Sequence, residues 1–144
     1  MAGFAGAHVA DRVKPSRPDL VARARRPDYA LGAHTASLGL ASSTGAQLGP
    51  AYAHGMFVGQ HGSWNREPRS GYKVVFVAFD DDGAPVGAPA DVVTGFVDDD
   101  GNTSGRPVGV AVGSDGALYV ADDVGNAVWR VSGAETGTHS ASAK

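Results

Sequence analysis

Cysteine does not occur once in the 144 residues, which excludes thiolate zinc sites, thiol nucleophiles and disulfides and leaves the redox compartment open. Charge of one sign is scarce too. Twelve basic residues stand against fifteen acidic ones, a net of −3, so the chain lacks the electrostatic footprint of a nucleic-acid binder, and no basic cluster is interleaved with aromatics. No apolar run approaches the roughly 20 residues that span a bilayer as a helix. The start has no basic segment followed by an apolar one, so no export signal is expected there. What is present is 42% hydrophobic residues and 21 glycines, enough apolar content for one folded domain with its own core.

Residues 1–28 differ in texture from the rest. Asp11 to Asp28 carries six of the twelve basic residues together with Pro15, Pro18 and Pro27. One or two helical turns fit Asp19 to Arg26, acidic at the start and basic at the end as the macrodipole favours, with Pro27 as the stop. A basic arm for RNA or anionic lipid is the functional reading of this stretch. A poorly ordered leader is the preferred one, because the turn has no wide apolar face. From Tyr29 onward short apolar segments are punctuated by glycine, the pattern of an all-β chain. Strands are expected near residues 37–41, 55–60, 72–79 and 90–96. Asp80-Asp81-Asp82-Gly83 reads as a solvated turn, and so does Asp98-Asp99-Asp100-Gly101-Asn102, since neither has the EF-hand spacing that would hold calcium.

The pattern then starts over. Val108-Gly109-Val110-Ala111-Val112 answers Leu38-Gly39-Leu40-Ala41, Leu118-Tyr119-Val120-Ala121 answers Met56-Phe57-Val58-Gly59, and Ala127-Val128-Trp129-Arg130-Val131 answers the strand from Val74 to Phe79. Such an internal repeat predicts two sheets in sequence, about 29–97 and 105–132, as in consecutive blades of a β-propeller. The second unit has three strands and lacks an outer one, and residues 133–144 read as a flexible tail. Two blades cannot close a ring of about four to eight. Blade faces built to be buried are therefore expected to be exposed, with self-association as one outcome.

Between the second and third strands lies the run Gly59-Gln60-His61-Gly62-Ser63-Trp64-Asn65-Arg66. Two strands that needed only joining would do with a short Asn-Gly turn. Here the connection carries an imidazole, an indole, an amide and guanidiniums, which together supply a proton acceptor, a flat stacking face and planar anion donors. Taken singly, each residue has a plainer reading, with the Trp capping a core and the Arg solvated or in a surface ion pair. The combination is what marks a candidate site.

The stretch Phe57 to Arg66, then Ser70-Gly71-Tyr72-Lys73-Val74-Val75-Phe76-Val77, Gly105-Arg106-Pro107-Val108-Gly109-Val110-Ala111-Val112 and Asp115 to Asp123 resembles the glucose/sorbosone dehydrogenase family. The resemblance runs from about Tyr29 to Ser132 and leaves the first 28 residues outside. It implies the last two blades of a six-bladed propeller, the final one without its outer strand, that uses pyrroloquinoline quinone (PQQ) and calcium to oxidise sugars such as aldoses or sorbosone. Relatives of that kind are periplasmic, secreted or membrane-associated.

By the same resemblance Arg106 matches an arginine that contacts PQQ, Arg66 is the next charge partner and Trp64 a wall, while His61 and Asn65 orient the loop or reach substrate. The plainer reading of Arg106 is an ion pair with the neighbouring acidic turn. The family's histidine base, its calcium ligands and a middle-blade Arg-Asn segment have no counterpart here, and His34 is no substitute. The implied chain thus holds part of a cofactor site without the catalytic base, and is expected to be inactive alone. The specific sugar and the electron acceptor are not selected by these residues. A calcium-dependent lactonase, an NHL-type binding module and a truncated remnant stay open as alternatives; the first two share the Asp-Gly hairpins but do not require the Trp-Asn-Arg loop.

Overall fold

The structure is a computed structural model that describes residues 17–133. By contact the chain divides into units Met1–Ala30 and Leu31–Lys144. In the first, α1 (Pro18–Val21) is a single helical turn. It opens on Pro18, whose missing N–H is no loss at a helix start, and Arg17 is paired with Asp19 at 2.7 Å. The helix is shorter than the expected run to Arg26. It ends ahead of Arg23, Arg25 and Arg26, whose like charges oppose its continuation, so Pro27 is not what stops it. Of the expected leader, residues 1–16 lie outside the described residues, as do residues 134–144 of the expected tail.

The second unit is all-β among the described residues apart from a 3-10 turn at Pro50–Tyr52. Strands β1 (Ser37–Ser42), β2 (Gly55–Gln60), β3 (Lys73–Phe79) and β4 (Pro85–Val93) form one sheet in that order. Strands β5 (Pro107–Val112), β6 (Leu118–Asp122) and β7 (Ala127–Val131) form a second. Every pairing is antiparallel and joins strands adjacent in sequence. The four-plus-three strand count is the one the sequence repeat predicts.

Two strand assignments need correction. The fourth strand was expected at 90–96, but β4 runs from Pro85 to Val93. Gly87 and Pro89, ahead of the expected strand, sit where the β3–β4 register slips between Phe76 and Ala78, with Gly87 at φ 71°. Beside β3 the ladder absorbs them as a bulge, which is where strand Gly and Pro are tolerated. At the other end Gly95 turns at φ 92° and Phe96 leaves the ladder to become buried. The third strand starts at Lys73, because Tyr72 adopts φ 58° and cannot continue the pleat.

Phe57, Val74 and Phe76 of the first sheet form one core cluster with Leu118 and Val120 of the second. Tyr52, from the 3-10 turn, packs its ring edge-on to Phe76 at 5.3 Å, and Phe57 lies 5.0 Å from Phe76. The inner strands approach very closely. A Cβ at Gly39 or Gly59 would stand 2.1 or 2.5 Å from the Val108 carbonyl oxygen, so β5 can lie across β1 and β2 only where those strands carry no side chain. This approach brings the end of β2 next to the start of β5, where the chemically rich loop begins.

Candidate functional site

Residues 61–72 connect β2 to β3, and the base of this loop is stitched in place. His61 N–H donates to the Ala36 carbonyl at 2.9 Å, Gly62 N–H to Thr35 at 2.9 Å, and Ser63 N–H to Ser70 at 2.8 Å. The Ser63 hydroxyl, buried, accepts the Ser70 N–H at 3.0 Å. Gly62 is required here, with φ 92° and the Tyr72 ring 2.3 Å from where a Cβ would be. Beyond this base the tip, Trp64 to Arg69, faces solvent.

Arg106, immediately before β5, reaches across to that base. Its Nε donates to the His61 carbonyl at 2.9 Å, and its Nη2 to the Gly62 and Ser63 carbonyls at 3.0 and 2.9 Å and to the Tyr72 hydroxyl at 3.0 Å. The guanidinium also lies 4.8 Å from the centre of the Tyr72 ring. Tyr72, buried, donates its own proton to the Ser63 carbonyl. Arg69 meets the same hydroxyl through Nη1 at 3.2 Å and the Gly101 carbonyl through Nε at 2.8 Å. Two guanidiniums thus converge on one phenol. Among the described residues neither is paired with a carboxylate, and Nη1 of Arg106 has no hydrogen-bond partner.

The end of β6 closes the arrangement. Asp122 is buried, and its carboxylate accepts the Arg106 N–H at 2.8 Å, the Gly125 N–H at 2.8 Å and the Trp129 indole N–H at 3.1 Å. Burial works to raise this carboxyl, but the three hydrogen bonds to its charged form outweigh it and hold it below the usual carboxylate range. Next to it, Asp123 lies 3.1 Å from Nε2 of His61. In contrast Asp115, the residue of the β5–β6 turn, is held low chiefly by Arg130 and serves a surface ion pair at 2.8 Å.

Of the five residues singled out in the sequence, the structure brings His61 and Arg106 together. Among the described residues Arg106 forms no ion pair with the acidic turn at Asp98 to Asn102; its link to a carboxylate is through its backbone N–H, to Asp122 at the end of β6. Arg66 is exposed and donates from Nη1 to the Ala33 carbonyl at 3.1 Å, apart from the bonds that hold Arg106. Trp64 is 82% exposed and Asn65 is also on the surface. Tyr72, Asp122, Asp123 and Arg69 are the participants that sequence reasoning left without a role. The sequence signal for Tyr72 is the preceding Gly71, which marks a turn where a strand start is otherwise expected. Asp122 and Asp123 look like ordinary turn residues, and no local signal sets them apart. Among the described residues no group of three or more His, Asp or Glu is placed to hold a metal ion.

Comparison with known proteins finds that residues 9–134 match the family model described as TrAA12-like. That match starts well ahead of Tyr29, where the motif resemblance begins. An uncharacterized protein of Borreliella burgdorferi is 34% identical over 103 residues, which are 72% of this chain and 27% of that protein. Among solved structures, the holo form of the pyranose dehydrogenase PQQ domain from Coprinopsis cinerea aligns at a TM-score of 0.51 and 34% identity, over 66% of this chain and 26% of its own. A calcium structure of the Trichoderma reesei carbohydrate-active enzyme of family AA12 aligns at 0.46 and 25% identity, over 54% of this chain and 21% of its own. The chain therefore spans about a quarter of the length of the relatives it matches.

Proposed function

The chain belongs to the TrAA12-like family, and we propose that it is the part of a PQQ-dependent sugar oxidoreductase that grips the cofactor's carboxylates. The observation that carries this reading is the cationic cluster at the loop base. Arg106 and Arg69 meet at the Tyr72 hydroxyl with neither in an ion pair among the described residues, whereas Lys73 and Arg130 are each ion-paired. A planar tricarboxylate suits this donor set, because Arg106 keeps Nη1 and Arg69 keeps Nη2 to donate to a carboxylate after their other nitrogens are bonded to the protein.

In this reading Arg106 is the principal anion donor, held in place by three carbonyls with Nη1 left to donate. Arg66 is the second donor, with one of its nitrogens already tied to the Ala33 carbonyl. Trp64 offers an exposed indole face as a wall for a flat ring. His61, whose ring is held by Asp123, and Asn65 line the approach. When bound, PQQ supplies the two-electron acceptor for oxidation of a sugar hydroxyl or aldehyde, an aldose or sorbosone by the resemblance. The proton acceptor and the calcium ligands come from elsewhere in such an enzyme, and the chain alone does not turn over sugar.

The two sheets are then consecutive blades of a larger ring. Leu38 and Leu40 on β1 and Val128 on β7 are left exposed, as befits sheet faces that adjoin further blades. The test is reconstitution with PQQ and calcium. Saturable quenching of tryptophan fluorescence by PQQ, with no reduction of a dye by aldoses, is the expected result. Sustained turnover would remove the claim of inactivity, and the lack of any saturable change would leave a non-redox propeller module or a remnant as the reading.

A further inference from the structure

Arg106 is restrained from more directions than an anion-binding arginine needs. Pro107 follows it, which keeps its backbone extended. In the β5–β6 ladder Pro107 stands opposite Asp122 and has no N–H to give, so the last donor before β5 is the Arg106 N–H. That donor goes to the Asp122 side chain at 2.8 Å. A residue that only capped the β6–β7 turn would need the Gly125 N–H and nothing more. Asp122 also takes Arg106 from the preceding strand connection and the Trp129 indole from β7.

The surroundings are cut away to admit this carboxylate. A Cβ at Gly105 would stand 2.2 Å from Asp122 Oδ2, and one at Gly125 would stand 2.4 Å from it. Burial of an ionised carboxylate is costly unless its charge is fully hydrogen-bonded, and three donors converge on it here. From Arg106 the connection continues through Nε to the His61 carbonyl, and the His61 ring returns to Asp123, next in sequence to Asp122. The chain of contacts closes on itself across the two sheets.

We propose that Asp122 is the positioning residue of the Arg106 site, setting the backbone from which the guanidinium reaches the loop, while Asp123 sets the His61 ring, so that the end of β6 aligns both halves. The link from this alignment to cofactor affinity rests on the function proposed above. Asp122 touches no ligand in this scheme and acts only through Arg106.

The experiment uses the full chain, uniformly labelled with 15N, and two substitutions, one that removes the carboxylate and one that displaces it. Asp122→Ala takes away the acceptor of the Arg106 N–H, and Gly105→Ala keeps the charge but crowds it. In both, the Arg106 Nε–H resonance is expected to lose its protection from exchange and to move toward that of a free guanidinium, with a parallel shift of the His61 ring signals. An unchanged Arg106 Nε–H signal in either folded variant would overturn the positioning role, and this readout needs no cofactor. With PQQ as the probe, Asp122→Ala should weaken binding about tenfold or more. Paired with Arg106→Ala it should add nothing further, because both act through one guanidinium. Fully additive losses would overturn the proposal. An unsubstituted chain that does not bind PQQ would count against the proposed function, and the NMR comparison would still decide the role of Asp122.

Discussion

Arg106 shows how one side chain can join two sheets. Its donors satisfy the carbonyls of His61 and Gly62 at the loop base and share the Ser63 carbonyl with the Tyr72 hydroxyl. Arg106→Lys keeps the charge but loses the fork, and should destabilise the chain by about 1–3 kcal/mol in urea unfolding. The buried Asp122 makes a second prediction. Its folded pKa lies below the unfolded value of about 3.9, so its contribution is complete above that value and is lost as the pH falls through the lower folded one. The thermal midpoint of the unsubstituted chain should therefore drop more steeply than that of Asp122→Asn below about pH 4. At this scale the sequence made His61 and Arg106 legible because imidazole and guanidinium are chemically distinctive. Tyr72 and Asp122 were not, since their roles depend on partners from distant parts of the chain, and a phenol or a turn aspartate looks the same whether or not those partners arrive.

At the scale of the elements, the two sheets meet through backbone rather than side chains at their inner strands. Gly59→Ala would press a methyl group to 2.5 Å from the Val108 carbonyl oxygen and should cost about 3 kcal/mol or more in equilibrium unfolding. A loss within a few tenths would mean that β5 can move away freely. The strands themselves could be read from the sequence wherever apolar runs were bounded by glycine, as in β2, β3, β5, β6 and β7. The fourth strand was misplaced because Gly87 and Pro89 are breakers by propensity, and only pairing with β3 makes a bulge of them. The helix was overextended for the opposite reason: charge at its ends looked favourable, but end charges alone do not sustain a helix this short, and it stops at Val21.

For the whole molecule, the reading is of two neighbouring blades that carry an anion-gripping edge of a larger cofactor site. The antiparallel sheets and their repeat were visible in the sequence, while the fastening of Arg106 to the loop base was visible only in the fold. The most direct test is equilibrium dialysis of PQQ against the chain and its Arg106→Ala variant at fixed ionic strength. Saturable binding by the unsubstituted chain, weakened about tenfold or more by the substitution, is the predicted result. Equal uptake by both proteins would contradict a cofactor grip at Arg106.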